Sequence, residues 1–236
     1  MGPDSAQFAA GNQLLAGLPQ PLRDRLLGRL ETVELRLEQV LASPGQRMRH
    51  VFFPTRSFIS LIVPLDGHAG LEVDLVGDEG MVGIAAILGI AVAPMHALVQ
   101  GAGEALRMET AEFITEIKRS PPLQQLLNRY LYVTLTHLAH SGACTRFHLV
   151  EARLARWLLM TRDRAHADNF TITHVFLSHM LGVRRAGITR AAGSLRQRNL
   201  IDYNRGVLTI IDVVGLEEAA CSCYATHRKD YARMLG

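Results

Sequence analysis

Residues 176–201 have the sequence FLSHMLGVRRAGITRAAGSLRQRNLI. The pattern predicts a short helix over 174–180, a tight turn at Gly182 and a second helix over 184–198. Gly182 can adopt the positive φ that such a turn requires. In the second helix, apolar residues recur at intervals of three and four, so one face is predicted to be buried and the other to carry arginines.

A hairpin is predicted directly after these helices. Residues 200–203 and 207–211 flank Asn204-Arg205-Gly206, a sequence typical of a tight turn. Two helices, their turn and a hairpin in this order predict a winged helix-turn-helix. A helix about 10–12 Å wide fits the major groove of DNA, and a wing can reach the phosphate backbone.

Positive charge is concentrated in the same segment. Residues 1–150 contain 12 Lys+Arg against 14 Asp+Glu, whereas residues 151–236 contain 13 against 8. Between positions 184 and 205, six arginines accompany a single acidic residue, Asp202. An arginine-rich helix can be a solvated surface, but this charge coincides with the turn and the wing and indicates a polyanionic partner. The residues predicted from this pattern to contact double-stranded DNA are Arg184, Arg185, Thr189, Arg190, Arg196 and Arg205.

The first half of the chain has a different pattern. Leucines at helical spacing within 12–41, interrupted by Pro19 and Pro21, predict short helices. From about Leu35 to Met108, short β-prone segments alternate with Pro-Gly, Asp-Gly and Gly-Asp turns, which predicts a small antiparallel barrel or jelly roll. The predicted strands cover 51–53, 58–63, 71–76 and 97–100.

A long helix is predicted to follow, beginning at the Pro-Pro pair 121–122 and ending near Arg146. It is apolar on two sides, so it needs two neighbours. One is the barrel, and the other is the same helix of a second subunit; the alternative is a helix packed entirely within its own chain. The residues predicted to face the second subunit are Leu127, Tyr130, Leu131, Thr134 and Leu138. A further helix is predicted over 149–164, followed by a hinge at 165–169.

These elements together predict an α+β protein of three parts. Residues 1–120 form a β-barrel or jelly-roll domain, 121–147 the dimerisation helix, and 148–236 the winged helix-turn-helix domain.

Residues 176–201 and the hairpin after them resemble the DNA-binding domain of the Crp/Fnr family of bacterial transcription regulators. Leu14 to Pro19, Phe53-Pro54 and Gly77 to Gly83 agree with the family, as does the order of barrel, long helix and winged helix. The resemblance implies a homodimer that binds a near-palindromic operator, with one recognition helix per subunit. The family's recognition helix carries an arginine, a glutamate and an arginine, which match Arg185, Ala186 and Arg190. The carboxylate that accepts from cytosine is therefore absent.

The resemblance also implies a cyclic-nucleotide-like effector pocket, which this chain alters. In members that bind cyclic nucleotides, a glutamate after the glycine holds the ribose and a later arginine holds the phosphate. Here Gly83 is followed by Ile84, and the later position is Met95 or His96, beside Ala97. Because these contacts are lost, we predict a degenerate pocket, no dependence on cyclic AMP and an unknown effector. Protonated His96 could still pair with an anion.

Two groups of residues have spacings that could suit a metal. His137, His140, Cys144 and His148 lie three and four residues apart along one side of a helix, and Cys221-Ser-Cys223 precedes His227. Three cysteines cannot supply an iron–sulfur cluster. A dimer helix and a helix end with small buried thiols explain the two groups as well, so the sequence predicts no metal and no cofactor.

The remaining functional classes have weak support. Residues 50–105 offer only scattered acid and base side chains, so we predict that the protein is not an enzyme; a barrel-based enzyme and a non-DNA-binding interaction module are the alternatives. Met1 to Asp4 lacks a secretory pattern, and the apolar segment 80–103 is broken by glycine and proline. We therefore predict a cytoplasmic protein without a membrane partner. Activation of transcription would add RNA polymerase as a partner, although no sequence feature marks that contact.

Overall fold

The computed structural model describes residues 11–66 and 68–236, with the side chains of residues 68 and 69 outside the description. The interpretation of the first four residues therefore falls outside the described chain. The described residues divide into two compact units. The first contains the chain up to Leu61, Leu75–Thr136 and Tyr231–Gly236, and the second contains Ile62–Asp74 and His137–Asp230.

Two sheets and several helices build the amino-terminal part of the chain. The helices are α1 (Gln13–Ala16), α2 (Gln20–Leu27), a 3-10 helix (Ile84–Leu88) and α3 (Thr110–Arg119). The strands are β1 (Glu31–Leu35), β2 (Val40–Ala42), β3 (His50–Pro54), β4 (Phe58–Leu65), β5 (His68–Val76), β6 (His96–Gly101) and β7 (Gly103–Glu109). The sheet orders are β1-β7-β3 and β2-β6-β4-β5. The predicted α+β class with a two-sheet, barrel-like amino-terminal domain is confirmed.

Strands β1 and β7 and helix α3 were not in the sequence prediction. Strand β7 pairs antiparallel with both β1 and β3, with Leu106 opposite Thr32 on one side and Phe53 on the other. β1 lies inside the segment that was predicted as helical from its leucine spacing. The strand was missed because it spans only five residues, which is too short for a clear alternating pattern. Helix α3 follows β7 with no intervening residue, so no turn signal marks its start.

The core of the first unit holds the glycine segment of residues 77–83 in place. The Tyr130 side chain is 1% exposed, and its hydroxyl lies 3.0 Å from the Met81 nitrogen, which donates to it. A Cβ at Gly80 would lie 2.4 Å from the same hydroxyl, so only glycine fits there. Phe53 and Phe113 add an edge-to-face contact with ring centroids 5.6 Å apart.

The long helix α4 (Pro121–Phe147) has the predicted boundaries. Its own chain, however, buries most of the face predicted to meet a second subunit. Leu127, Tyr130 and Thr134 are each 1% exposed within a single chain, while Leu131 and Leu138 are half-buried. This correction has a simple cause: a helix with two apolar faces does not reveal from its sequence which face its own domain covers.

The second unit contains the helices and hairpin predicted from the C-terminal sequence, and two later helices that were not predicted. Its helices are α5 (Val150–Ala165), α6 (His174–Met180), α7 (Arg185–Gln197), α8 (Val213–Ala219) and the start of α9 (Cys223–Leu235). Strands β8 (Asn169–Thr171), β9 (Ile201–Asn204) and β10 (Val207–Ile210) form a sheet in the order β8-β10-β9. β8 begins within the predicted hinge and adds a third strand to the wing. Among the described residues, no helix combines the length and the apolar character needed to cross a bilayer.

Candidate nucleic-acid interface

The turn between α6 and α7 has the predicted geometry. The Thr173 side chain caps α6 by accepting from the Phe176 nitrogen at 3.1 Å. Gly182 then adopts φ +62°, and a Cβ at this position would lie 2.8 Å from the Leu71 side chain. Arg184 is the extended N-cap residue of α7. Gly182 is thus needed both for its backbone conformation and for its lack of a side chain.

Helix α7 has one buried and one exposed face. Ile188, Ala191, Ala192 and Leu195 are at most 5% exposed and fix the helix against its own unit. The opposite face is exposed and carries Arg185, Ala186, Thr189 and Arg190. Arg184, at the start of the helix, and Arg196, near its end, are exposed as well. Helical periodicity therefore brings these predicted DNA-binding residues onto one accessible surface.

The wing turn presents Arg205 at its tip. Asn204 pairs with Val207, so the loop consists of Arg205 and Gly206, with φ of +50° and +87°. Two consecutive positive φ values are typical of the type I′ turn that suits the twist of a hairpin. Arg205 is exposed. The Tyr203 hydroxyl donates to the Ile172 carbonyl at 2.7 Å and ties the hairpin to the segment before α6.

The arginines of this surface differ in their partners. Arg196 forms an ion pair with Asp202, with 3.1 Å between Nε and Oδ1, and so joins the end of α7 to the wing. In the described part of the chain, Arg184, Arg185, Arg190 and Arg205 make no ion pair with a carboxylate. Their charge is therefore available to an external anion. The charge of Arg196 is instead already paired within its unit.

His174 adds a polar contact beside α7. Its Nδ1 lies 3.2 Å from the Thr189 hydroxyl, which also donates to the Arg185 carbonyl. Burial, together with the Arg185 charge, lowers the pKa of His174. The imidazole is therefore neutral at physiological pH, and Thr189 has its rotamer fixed by two neighbours.

The region predicted as a degenerate effector pocket is largely apolar. Gly83 adopts φ +105° and caps the 3-10 helix; Ile84 is half-buried and packs against the core of the first unit. Met95 and His96 are half-buried and Ala97 is buried at the start of β6. Ile84 and Met95, two of these residues, offer only apolar groups beyond the backbone, so neither supplies a carboxylate for a ribose hydroxyl or a cation for a phosphate.

The structure combines the two groups of residues whose spacing had suggested a metal. Cys144 and His148, from the first group, lie beside Cys221 and Cys223, from the second. His137 and His140 instead stack with His227, with 3.8 Å between the ring centroids of His137 and His227. Sequence spacing could not pair Cys144 with Cys221, because the two positions are 77 residues apart.

The chain thus has the architecture of a winged helix-turn-helix protein, with an amino-terminal domain of two sheets and a long helix before the winged part. Residues 152–219 match the family described as the Crp-like helix-turn-helix domain. No curated protein sequence matches the chain.

Solved structures extend the likeness to most of the chain. The c-di-GMP-responsive global regulator CLP of Xanthomonas campestris is 14% identical with a TM-score of 0.67, covering 82% of this chain and 100% of its own. A protein of Eubacterium rectale described as a Crp/Fnr transcriptional regulator is 16% identical with a TM-score of 0.69, covering 87% and 96%. A Crp/Fnr-family regulator of Thermus thermophilus is 21% identical with a TM-score of 0.66, covering 80% and 98%.

Residues 152–219 are thus a Crp-like helix-turn-helix domain, and the chain has the fold of the Crp/Fnr transcription regulators. The resemblance drawn from residues 176–201 is confirmed at this level. The Xanthomonas campestris protein is described as a global regulator of gene expression and the Eubacterium rectale protein as a transcriptional regulator.

Proposed function

We propose that this protein is a homodimeric transcription regulator that binds a specific, near-palindromic DNA operator and is not an enzyme. The observation that carries the proposal is the exposed arginine surface of α7 and the wing turn, within a Crp-like helix-turn-helix domain. The alternative, a solvated basic helix, requires neither the positive-φ turn at Gly182 before the helix nor an exposed arginine at the wing turn.

The proposed complex inserts α7 into the major groove. Arg185 and Arg190 contact guanine edges or phosphates, and Arg184 contacts the backbone at the start of the helix. Thr189 adds a hydroxyl to the same face, and Arg205 contacts a phosphate from the wing tip. Ala186 makes no polar base contact. Arg196 acts indirectly, because its ion pair with Asp202 holds the wing against the helix.

A dimer is proposed to form through the exposed face of α4. Leu127, Tyr130 and Thr134 are not part of this proposed interface, because they are buried within their own chain. Tyr132 and Leu135 are each 58% exposed on this helix, three residues apart. A symmetric pair of such helices would bury both side chains against their own copies. The two α7 helices would then enter successive major grooves about 34–36 Å apart.

Control by cyclic AMP is not part of the proposal, because Ile84, Met95 and His96 replace the polar groups that would hold the nucleotide. The effector of the amino-terminal domain is unassigned; abundance of the protein is the simplest means of control. RNA polymerase is a further partner if the protein activates transcription. Since its proposed target is bacterial chromosomal DNA, the protein would act in the cytoplasm, with no membrane partner.

Selection of bound sites from random DNA tests the proposal. The purified chain is used at fixed moderate salt, without nucleotide, with cyclic AMP and with cyclic di-GMP, the ligand named for the Xanthomonas regulator. We expect a symmetric motif with half-sites one helical turn apart in all three arms. Enrichment only with cyclic AMP would contradict the assignment of the pocket, and no enriched motif would contradict DNA binding.

A further inference from the structure

Four side chains with soft or borderline donor atoms meet in the second unit. Cys144 lies in the last turn of α4, His148 directly follows that helix, Cys221 lies between α8 and α9, and Cys223 begins α9. The three thiols are 0%, 6% and 9% exposed, and His148 is half-buried. The four donor atoms all lie within 4.8 Å of one another. We call this group the thiol cluster.

Three of the separations in the thiol cluster are close to those expected around one tetrahedral ion. The Cys144 and Cys221 sulfurs are 3.6 Å apart, and His148 Nδ1 lies 3.4 Å from the Cys144 sulfur and 3.6 Å from that of Cys223. With Zn–S of about 2.3 Å and Zn–N of about 2.0–2.1 Å, tetrahedral geometry gives sulfur–sulfur edges of about 3.8 Å and sulfur–nitrogen edges of about 3.6 Å. All three cysteines are free, and a disulfide would need sulfurs about 2.05 Å apart.

The backbone holds these donors in place independently of any ion. The His148 nitrogen donates to the Cys144 carbonyl at 3.1 Å, which continues the helical pattern and aligns both side chains on one side. The Cys221 nitrogen donates to the Ala152 carbonyl at 3.3 Å, which fixes the later segment against α5. A site whose ligands are already positioned loses little conformational entropy on binding.

A buried arginine lies near the thiol cluster. Arg156 is 8% exposed, and its Nε and Nη1 have no hydrogen-bond partner within the described residues. It is close enough to interact electrostatically with all three cysteines. Three thiolates and one Zn²⁺ carry a net charge of about −1, so Arg156 would compensate the occupied site.

We propose that Cys144, His148, Cys221 and Cys223 bind one Zn²⁺ per chain in a closed Cys₃His site. This set of three thiolates and an imidazole is one that structural zinc sites use, and thiolate ligands disfavour magnesium, calcium and manganese. The ion would cross-link the end of α4 to the start of α9. These two segments lie just before and just after residues 152–219, the Crp-like domain. The proposal does not depend on DNA binding.

Titration of the full-length chain with Co²⁺ tests the site. The protein is reduced, stripped with a chelator and checked for three free thiols before the metal is added. We expect one equivalent of Co²⁺ with sulfur-to-cobalt charge-transfer absorption and the intense d–d bands of tetrahedral coordination, and full displacement by Zn²⁺. Weak octahedral bands or no binding would overturn the proposal.

Variants separate the site from general effects on folding. Cys223→Ala is expected to lose the charge-transfer band, whereas His140→Asn, on the same helix as Cys144 but outside the thiol cluster, is expected to keep it. Should Cys223→Ala fail to fold, the half-buried position 148 provides the same test: His148→Cys keeps four ligands and the tetrahedral bands, and His148→Ala loses them. Retention of Co²⁺ by His148→Ala with unchanged spectra would contradict the assignment.

Discussion

Helices α5 and α7 of the second unit are both rich in arginine, but they place this residue in opposite environments. On α5, Arg153, Arg156 and Arg164 are 5%, 8% and 9% exposed. On α7, Arg185 and Arg190 are exposed. The difference teaches that arginine content alone does not define a nucleic-acid surface; the buried set is tied to its own unit, and only the exposed set can meet an external anion.

The buried arginines have identifiable tasks. Arg153 donates through Nη2 to the Leu181 carbonyl, immediately before the Gly182 turn. Arg164 donates to the Met160 carbonyl of its own helix at 3.0 Å. Arg156 lies beside the thiol cluster. α5 therefore supports the turn that positions α7, so the two helices are linked in structure although their arginines differ in role.

The largest expected effect comes from removing the exposed pair. Arg185→Ala combined with Arg190→Ala should lower operator affinity by about 30-fold to 10⁴-fold, since each good arginine–base contact is worth about 1–3 kcal/mol. Fluorescence anisotropy at fixed salt measures this loss. Arg119→Ala, an exposed arginine of α3, is the matched control and should bind normally. Unchanged affinity in the double variant would break the comparison and favour a non-DNA-binding role.

Burial of two histidines should also produce an acid sensitivity. Burial, with the charges of Arg164 and Arg156 among the causes, lowers the pKa of His137 to about 4, and burial chiefly lowers that of His227 to about 2. The Asp230 carboxylate, 4.0 Å from Nε2 of His137, does not offset the lowering of the His137 pKa. Because the unfolded chain takes up these protons below about pH 6.5, the free energy of unfolding should fall between pH 6.5 and 4, by about 1.4 kcal/mol per pH unit for each histidine.

Urea unfolding across this pH range provides the measurement. His137→Asn should reduce the slope of stability against pH, while His179→Asn, at an exposed position, should leave the slope as it is. A stability that stays flat down to pH 4.5 would show that these imidazoles open to solvent.

The same substitution at a buried and at an exposed arginine sharpens the comparison further. Arg153→Met should lower the free energy of unfolding by about 1.5–3 kcal/mol, because it leaves the buried Leu181 carbonyl without its charged donor. Arg185→Met should stay within about 0.5 kcal/mol. Urea unfolding of both variants gives the answer, and equal effects would mean that Arg153 is not held as described.

The smallest effect is expected at the wing tip. Arg205→Asn keeps the positive φ that position 205 requires, since asparagine tolerates it, but removes the charge. The slope of log affinity against log salt should fall in magnitude by about 0.9, as for one lost phosphate contact. Thermal unfolding should be unchanged. An unaltered salt slope would remove Arg205 from the interface.

Much of this fold was predictable, because proline and glycine residues mark several of the places where helices begin and the chain turns. Pro121 marks the start of α4, Gly182 the bend between α6 and α7, and Arg205-Gly206 the wing. Strands β1 and β7 lack such signals. Their alternation is short, and β7 passes directly into α3.

How far the functional sites could be predicted from the sequence depends on a different factor, the distance along the chain between the residues in contact. Exposure on α7 followed from helical periodicity, so the arginine face was predictable residue by residue. The covered side of α4 was not, because apolar residues occur on both sides of that helix. The thiol cluster depends on contacts between segments about 77 residues apart, which spacing along the chain does not encode.

The short side chain at Ala186 has a consequence for the information content of the proposed operator. A methyl group can contact a thymine methyl but cannot accept from cytosine, so discrimination of about 1–3 kcal/mol is lost at one base pair of each half-site. A genome offers about 10⁶–10⁹ competing sites. A regulator with a less demanding sequence code would distribute itself over more of them, and its occupancy at any one promoter would then follow its copy number in the cell.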